Sequence, residues 1–110
     1  MKNCIFCAIA GKKKEAEILH ENDKMVVIRD IRPSAPVHLL IIPKKHIDSV
    51  NELEESDKEL VGEMVLLAKK MARERGIGSG YQLRVNVGKD GGQIIPHLHL
   101  HLLGGWKEDK

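Results

Sequence analysis

The stretch HLHLHLL, residues 97–103, decides the fold of this 110-residue chain. Successive side chains of a β-strand point to opposite faces, so His97, His99 and His101 are predicted to share one face and the leucines the other. The leucines can then be buried in a core while the imidazoles line a cleft. An exposed strand face normally carries Thr, Lys, Glu or Ser, so three imidazoles indicate a functional site. We expect this strand to span Pro96–Leu103.

The spacing of these histidines bears on their chemistry. The outer two are about 13 Å apart on a strand that rises about 3.3 Å per residue. The ligand atoms of one zinc lie within about 4 Å of one another, which disfavours a single zinc held by all three. A neutral imidazole can act as a nucleophile when a backbone carbonyl holds its N–H. The pattern therefore favours nucleophilic attack on phosphorus by the middle imidazole, with its neighbours orienting it or stabilising charge.

One long helix is predicted over Ser56–Arg75. Ser56 and Glu59 have the spacing of a capping box, and Gly76 supplies a left-handed stop. The apolar positions cover more of the circumference than one core-facing stripe requires. A helix of this kind is expected to pack both on a sheet and on a second copy of itself, which indicates a homodimer.

The remaining elements are short. We predict a short helix within Cys4–Ala10 and strands over Ile18–His20, Met25–Arg29, Val37–Ile42 and Tyr81–Val87. Val37–Ile42 is the most apolar β-branched run, as expected of a central strand. Together with the histidine strand, these elements predict an α+β fold with an antiparallel sheet.

Composition excludes several classes of protein. Hydrophobic residues make up 42% and charged residues 31%, and 18 basic against 16 acidic side chains leave a net charge of +2. This near-balance argues against a nucleic-acid binder, and the run Lys12–Lys14 is expected to be a solvated loop. No apolar run approaches the roughly 18 residues of a membrane span, so no membrane partner is expected. We predict a single cytoplasmic domain over residues 1–110, with cysteines that form no lasting disulfide.

Several motifs together resemble one family. His-φ-His-φ-His-φ-φ, with φ apolar, is the signature of the histidine triad superfamily, and the chain resembles its Hint branch. The resemblance covers nearly the whole chain and is carried in order by CIFC (4–7), DIRPSAPVH (30–38), IPKKHI (42–47), NVG (86–88) and DGGQ (90–93). It implies a five-stranded antiparallel sheet with one long helix and a short N-terminal helix, and a sheet continued across a homodimer.

The resemblance also implies an activity. Hint proteins bind purine nucleotides and hydrolyse nucleoside 5′-phosphoramidates and acyl-adenylates. By position, His99 would be the nucleophile that forms a nucleotidyl-histidine intermediate. His101 and His97 would support it, and His38 would complete the catalytic group. The chemistry requires neither magnesium in principle nor an organic cofactor.

A nucleotide pocket is implied around the triad. Asp30 would accept hydrogen bonds from the ribose hydroxyls, and the loop carrying Asn86, Gly92 and Gln93 would approach the phosphate. The base and sugar would be lined by Ile5, Phe6, Ile9, Ile28, Arg29, Ile31 and Leu40. Core packing explains Ile9 and Leu40 about equally well.

A structural zinc is implied beside this pocket. Two cysteines under-fill a tetrahedral zinc site, which needs two further ligands. The resemblance supplies them, because branch members with this N-terminal C-x-x-C use a Cys₂His₂ set that falls on Cys4, Cys7, His46 and His97. A reduced thiol pair packed near the N-terminus is the alternative. His20 is expected to be an exposed strand residue.

Two other functions stay open. Dinucleoside polyphosphate hydrolases of this superfamily carry Gln where this chain has His101, so His101 favours phosphoramidate chemistry. Ile94 stands where Hint proteins often carry a Ser or Thr that hydrogen-bonds the phosphate or leaving group. The loss of that hydroxyl makes a purine-nucleotide-binding or scaffold protein with weak catalysis the second alternative.

Overall fold

A computed structural model describes residues 4–11 and 16–106 of the chain. The Lys12–Lys14 run lies outside these residues. Two α-helices and five β-strands make up the fold, together with three short 3₁₀ turns. In chain order they are α1 (Ile5–Ala10), β1 (Ile18–Glu21), β2 (Met25–Arg29), β3 (Val37–Pro43), α2 (Lys58–Glu74), β4 (Tyr81–Arg84) and β5 (Leu100–Gly104), with the 3₁₀ turns at Val50–Glu52, Glu55–Asp57 and Lys89–Gly91.

All five strands form one antiparallel sheet in the order β1-β2-β3-β5-β4, which confirms the predicted fold. The apolar strand β3 lies at the centre, as expected from its β-branched sequence. One row of directly paired residues crosses the sheet from β2 to β4, namely Ile28, Leu40, His101 and Arg84. Paired residues share a face, so this row brings a triad histidine next to an apolar surface on one side and a charged one on the other.

The two faces of the sheet are covered by different helices. One face packs its leucines and valines against α2, where Leu39, Leu102 and Met71 belong to the larger core cluster. The other face packs Ile28 and Leu40 of the sheet row against α1. The triad histidine of that row lies on this second face, so the large core stabilises the sheet and leaves the opposite face for chemistry.

The long helix begins two residues later than predicted. A 3₁₀ turn over Glu55–Asp57 precedes it, and the Asp57 carboxylate accepts from the Glu54 N–H at 2.9 Å and pairs with Lys45 at 2.7 Å. The predicted capping box of Ser56 and Glu59 is therefore wrong, because Asp57 stabilises this turn from within it. The end of the helix is confirmed, since Gly76 adopts a left-handed φ of 77°.

Two strands are shorter at one end than the sequence predicts. The strand predicted over Pro96–Leu103 begins only at Leu100, because the N–H groups of His97 and Leu98 bond to the carbonyls of Ile95 and Ile47 instead of a neighbouring strand. The strand predicted over Tyr81–Val87 ends at Arg84. Strict alternation therefore does not extend back to His97, whose ring takes a different direction from that of His101. His20 is half-buried rather than exposed.

The apolar surface of α2 is only partly used within one chain. Met64, Leu67 and Ala68 are buried, whereas Val65 and Leu66 are exposed by 43% and 64%. The excess of apolar positions noted in the sequence therefore lies at the surface of this helix. Among the described residues, neither helix is long and apolar enough to cross a membrane.

Candidate active site

His99 lies at the centre of the candidate site and its free nitrogen can be assigned. The ring is buried, with Nδ1 2.7 Å from the His97 carbonyl oxygen. A carbonyl oxygen only accepts, so Nδ1 carries the proton and Nε2 keeps its lone pair. The Phe6 and His99 rings pack nearly perpendicular to each other at a centroid distance of 5.0 Å. The middle imidazole is thus held in the tautomer that a nucleophile needs.

A chain of hydrogen bonds also fixes the tautomers of His38 and His101. The Ser34 N–H donates to His38 Nδ1 at 2.9 Å, so His38 carries its proton on Nε2. His38 Nε2 donates to His101 Nδ1, also at 2.9 Å. His101 therefore presents an Nε2–H, and its ring lies 4.9 Å from that of His99. The site pairs a lone pair on one imidazole with an N–H donor on the next.

Burial keeps these imidazoles neutral. Burial lowers the pKa of His38 and of His99 below the ordinary value for histidine. The pKa of His101 falls to about 4, first because the ring is buried and then because His99 and His38 lie beside it. Three uncharged imidazoles at neutral pH suit attack by a lone pair and hydrogen bonding to a phosphoryl oxygen.

Asp30 is the acidic group of this cleft. The residue follows the end of β2, and its N–H donates to the His38 carbonyl at 3.0 Å. One carboxylate oxygen accepts from the Arg32 N–H at 2.8 Å, and the other lies 3.4 Å from His38 Nε2. The side chain is half-buried at the cleft edge, where it can accept hydrogen bonds from a ligand.

Cys4, Cys7, His46 and His97 form a second cluster next to the triad. Their four ligand atoms lie within 4.8 Å of one another. His97 Nδ1 is 3.2 Å from Cys4 Sγ and 3.5 Å from Cys7 Sγ, and His46 Nδ1 is 3.2 Å from Cys7 Sγ. Tetrahedral zinc bonded to sulfur at about 2.3 Å and to nitrogen at about 2.1 Å separates these atoms by about 3.6 Å. The cluster therefore fits a zinc ion.

The hydrogen bonds made by the Nε2 atoms of the two histidines in this cluster agree with metal binding by their Nδ1 atoms. His97 Nε2 donates to the Pro43 carbonyl at 2.8 Å, and His46 Nε2 donates to the Asp48 carboxylate at 2.7 Å. Both inner Nδ1 atoms therefore carry lone pairs, the arrangement found around metal-ligating histidines. His97 serves both clusters, because its ring lies with the thiols while its carbonyl holds the nucleophile.

Asp30, His38 and His101 also lie within 4.8 Å of one another, but they do not fit a metal site. The Ser34 N–H on His38 Nδ1 leaves the proton on Nε2, the atom that faces the other two residues. A ligand nitrogen needs a lone pair there. This trio is therefore a hydrogen-bonded group.

The predicted pocket residues divide into three sets. Phe6, Ile9, Ile28 and Leu40 are buried together between α1 and the sheet, so Ile9 and Leu40 contribute to core packing as the alternative held. Ile5 and Ile31 are exposed by 37% and 90%, at positions where a ligand can cover them. Arg29 follows Ile28 on the strand and so lies on the opposite face, where it pairs with Glu17 at 3.2 Å.

The loop over residues 86–93 is stabilised by hydrogen bonds of its own polar side chains. Asn86 Nδ2 donates to the Gly91 carbonyl at 2.9 Å. Gln93 accepts from the Gly88 N–H and donates to the carbonyls of Asp48 and Ile95. Gly92 adopts a left-handed φ of 88°, and a Cβ there would lie 3.2 Å from Asn86 Nδ2. The predicted phosphate-side residues thus fix the loop shape, and the Gln93 side chain is already occupied within the protein.

Comparison with known proteins decides the family. The family described as "Scavenger mRNA decapping enzyme C-term binding" matches residues 3–109. Protein HitA of Neisseria gonorrhoeae is 43% identical over 104 residues, which cover 94% of this chain and 97% of that protein. The crystal structure of a HIT family hydrolase from Legionella pneumophila has a TM-score of 0.93 at 47% identity, covering 96% of this chain and 95% of its own. The chain belongs to the histidine triad superfamily.

Two further histidine triad structures bear on ligands. A histidine triad nucleotide-binding protein from Candida albicans is 27% identical with a TM-score of 0.83, covering 98% of this chain and 85% of its own. A Zn-bound histidine triad family protein from Mycobacterium smegmatis is 30% identical with a TM-score of 0.83, covering 99% and 79%.

Sequence reasoning missed the groups that orient the site of this histidine triad protein. The Ser34 N–H and the Pro43 carbonyl are backbone groups, and no residue type signals them in advance. Asp48 follows His46 by two residues but resembles any surface acid. Arg84 was absorbed into a predicted strand, and only the register of β4 against β5 places it beside His101.

Proposed function

We propose that this histidine triad protein hydrolyses nucleoside 5′-phosphoramidates and acyl-adenylates, with purine nucleotides as the nucleotide part. The observation that carries the proposal is the hydrogen bond from His99 Nδ1 to the His97 carbonyl. It leaves Nε2 free and raises its basicity, in a cleft where every neighbouring imidazole is neutral. The names of the Legionella hydrolase and the Candida nucleotide-binding protein support hydrolysis and a nucleotide ligand, respectively.

His99 Nε2 attacks the phosphorus and the bond to the leaving group breaks. The nucleotidyl group is then bonded to His99, and a water molecule hydrolyses this bond to give the nucleoside monophosphate and the free imidazole. The net reaction consumes one water and releases the amine or acid. The covalent intermediate divides one difficult substitution into two easier ones.

His101 and His38 are proposed to stabilise the charge that develops on the phosphoryl group. The His101 Nε2–H points away from His38, which holds His101 Nδ1 at 2.9 Å. A donor fixed in this way needs little reorganisation when the phosphoryl oxygens gain charge. His38 therefore acts as a positioning residue, and His101 as the catalytic hydrogen-bond donor.

Asp30 is proposed to receive the ribose hydroxyls and the α1 side of the cleft to receive the base. The half-buried carboxylate has one oxygen near His38 and lies beside the exposed Ile31. A flat purine ring can cover apolar side chains such as Ile31 and Ile5, which buries apolar surface on binding.

We also propose that Cys4, Cys7, His46 and His97 hold a structural zinc. A bound zinc supplies a tetrahedral crosslink and takes no part in the chemistry. The crosslink joins α1 to the chain just before β5. His97 is then fixed by its ring, and through its carbonyl it fixes His99. The Zn-bound relative from Mycobacterium smegmatis supports this assignment.

A homodimer is the proposed assembly. The exposed Val65 and Leu66 on α2 and the free edge of β4 are apolar and hydrogen-bonding surfaces that a second copy can cover. Sedimentation or light scattering of the purified chain decides between the dimer and a monomer.

Turnover of a fluorogenic adenosine phosphoramidate tests the enzymatic proposal. His99→Ala should abolish turnover while AMP still binds, and His20→Ala is the matched control because His20 lies on β1, outside the cleft. If the wild-type protein and His99→Ala are equally inactive while both bind AMP, the protein is a nucleotide-binding protein and the hydrolase proposal fails.

Metal content tests the zinc proposal. Protein purified without a histidine tag is expected to contain about one zinc per chain, and Cys4→Ala should lose it. A zinc content near zero, unchanged by Cys4→Ala, would contradict the proposal. The His20→Ala variant again serves as the control, since this histidine is not in the cluster.

A further inference from the structure

The row of side chains that runs from β2 to β4 has opposite charges at its two ends. Asp30 follows β2 at one end, and Arg84 is the last residue of β4 at the other. His38 on β3 and His101 on β5 lie between them, because the strand order is β2-β3-β5-β4. A nucleotide that places its ribose at Asp30 and its phosphorus at the imidazoles therefore leaves the β4 end of this row open to another part of the substrate.

Arg84 lies on the same face of the sheet as His101. It pairs directly with His101 in the β4–β5 register, and directly opposed residues point to the same side with Cβ atoms about 5 Å apart. Its positive charge also lowers the pKa of both His38 and His101. These observations place the guanidinium within reach of a ligand bound at the imidazoles.

No carboxylate neutralises Arg84 within residues 4–11 and 16–106. Arg29 on the same sheet pairs with Glu17, whereas the Arg84 guanidinium has no ion pair or hydrogen bond with any described residue. In the single chain this side chain is exposed, at the end of the strand whose edge a second copy would cover in the proposed homodimer. An unpaired guanidinium beside a row of neutral donors is suited to bind an anionic oxygen group.

We propose that Arg84 selects substrates whose leaving group carries an anionic group, a carboxylate or a phosphate. The inference rests on the proposed hydrolase function, because it assigns the leaving-group end of that same site. It makes phosphoramidates of acidic amines better substrates than phosphoramidates of neutral amines.

Three adenosine 5′-phosphoramidates test the proposal. Their amines are β-alanine, which carries a carboxylate, 2-aminoethyl phosphate, which carries a phosphate, and β-alaninamide, which is neutral. The wild-type protein should show a kcat/KM about tenfold higher for at least one anionic substrate than for the neutral one, the scale of a charge-assisted hydrogen bond at an exposed site. The larger ratio identifies which anion is recognised.

The difference in kcat/KM between anionic and neutral substrates should appear mainly in KM. The anionic group is remote from the reacting phosphorus, so its contact with Arg84 is equally strong in the ground state and in the transition state. Arg84→Gln should bring the ratio close to one, and Arg84→Lys should restore part of it, because lysine keeps the charge without the forked geometry. Arg75→Gln removes an exposed arginine beyond the end of α2 and should leave the ratio unchanged.

Three outcomes would overturn the proposal. A ratio that Arg84→Gln leaves unaltered excludes contact with the leaving group. An equal loss on all three substrates means that Arg84 binds the phosphoryl group instead. A change of oligomeric state in Arg84→Gln, seen by light scattering, means that Arg84 belongs to an interface between copies.

The proposed function can fail separately. If the wild-type protein hydrolyses none of the three compounds, the hydrolase proposal is wrong. Calorimetric titration with the same intact compounds then decides the role of Arg84. A dissociation constant about tenfold lower for an anionic compound, lost in Arg84→Gln, supports it, and equal constants overturn it.

Discussion

The activity of this histidine triad protein should persist at pH values where ordinary histidines are protonated. Burial lowers the pKa of His38 and His99, and that of His101 falls to about 4. At a pH of about 5.25, a histidine with the ordinary pKa of about 6.5 is about 95% protonated, whereas one with a pKa of about 4 is about 5% protonated. His101 should therefore stay neutral in mild acid, and the lone pair of His99 should persist below the pH at which an ordinary histidine is protonated.

The assay is the pH dependence of kcat/KM for an adenosine phosphoramidate, since this parameter reports the pKa values of the free enzyme. His99→Ala measures the acid-catalysed background, which is subtracted. We expect the acid limb to have its midpoint clearly below 6.5, because burial lowers the pKa of all three imidazoles. A midpoint at or above 6.5 would contradict this expectation, because burial would then not lower the pKa of His38, His99 and His101. Titration of the ring protons by NMR, with the chain unfolded in concentrated urea as control, locates the same pKa values directly.

Three further predictions concern stability. Leu39→Ala removes a fully buried side chain from the larger core cluster and should lower the free energy of unfolding by about 2 to 5 kcal/mol. Ile94→Ala, at a position exposed by 90%, should change it by less than about 0.5 kcal/mol in the same denaturant titration. Gly92→Ala forces a left-handed φ on alanine and should cost about 1 kcal/mol or more by thermal unfolding; Gly91→Ala, which meets open space, should cost less, and equal losses would contradict the assignment. The free energy of unfolding should also fall as the pH drops from about 6.5 toward about 4. The pKa of these histidines is lower in the folded protein than in the unfolded chain, so the unfolded chain binds more protons in this range. A free energy of unfolding that does not change with pH in urea titrations would contradict this.

The parts of the fold that the sequence predicted best are those with a strong local pattern. The β-branched run of β3 identified the central strand, and Gly76 identified the end of α2. The start of α2 was misplaced because Ser56 and Glu59 have capping-box spacing, and only tertiary contacts show that Asp57 is held by Lys45 and the Glu54 N–H. Local spacing thus predicts the existence of an element better than its first residue.

The candidate site was predictable in its residues but not in its orientation. The pattern of His97, His99 and His101 pointed to catalysis, and the resemblance grouped the cysteines with His46 and His97. Which nitrogen of each ring is free depends on the partner of the other nitrogen. The His97 carbonyl holds His99, the Ser34 N–H holds His38, and no residue type signals either group. The prediction that His97 lies in the strand was wrong, because its N–H donates to the Ile95 carbonyl and not to a neighbouring strand. In this conformation the His97 ring contacts the thiol of Cys4, and the His97 carbonyl accepts from His99.

Trapping the covalent intermediate identifies the residue that attacks the phosphorus. The wild-type protein is mixed with an adenosine phosphoramidate, quenched during turnover under alkaline conditions that preserve phospho-imidazole bonds, and examined by mass spectrometry of its peptides. We predict the added mass of one adenylyl group on the peptide that carries His99, and its absence from His99→Ala. Turnover by the wild-type protein with no adenylylated peptide, or with the group on a residue other than His99, would contradict the account.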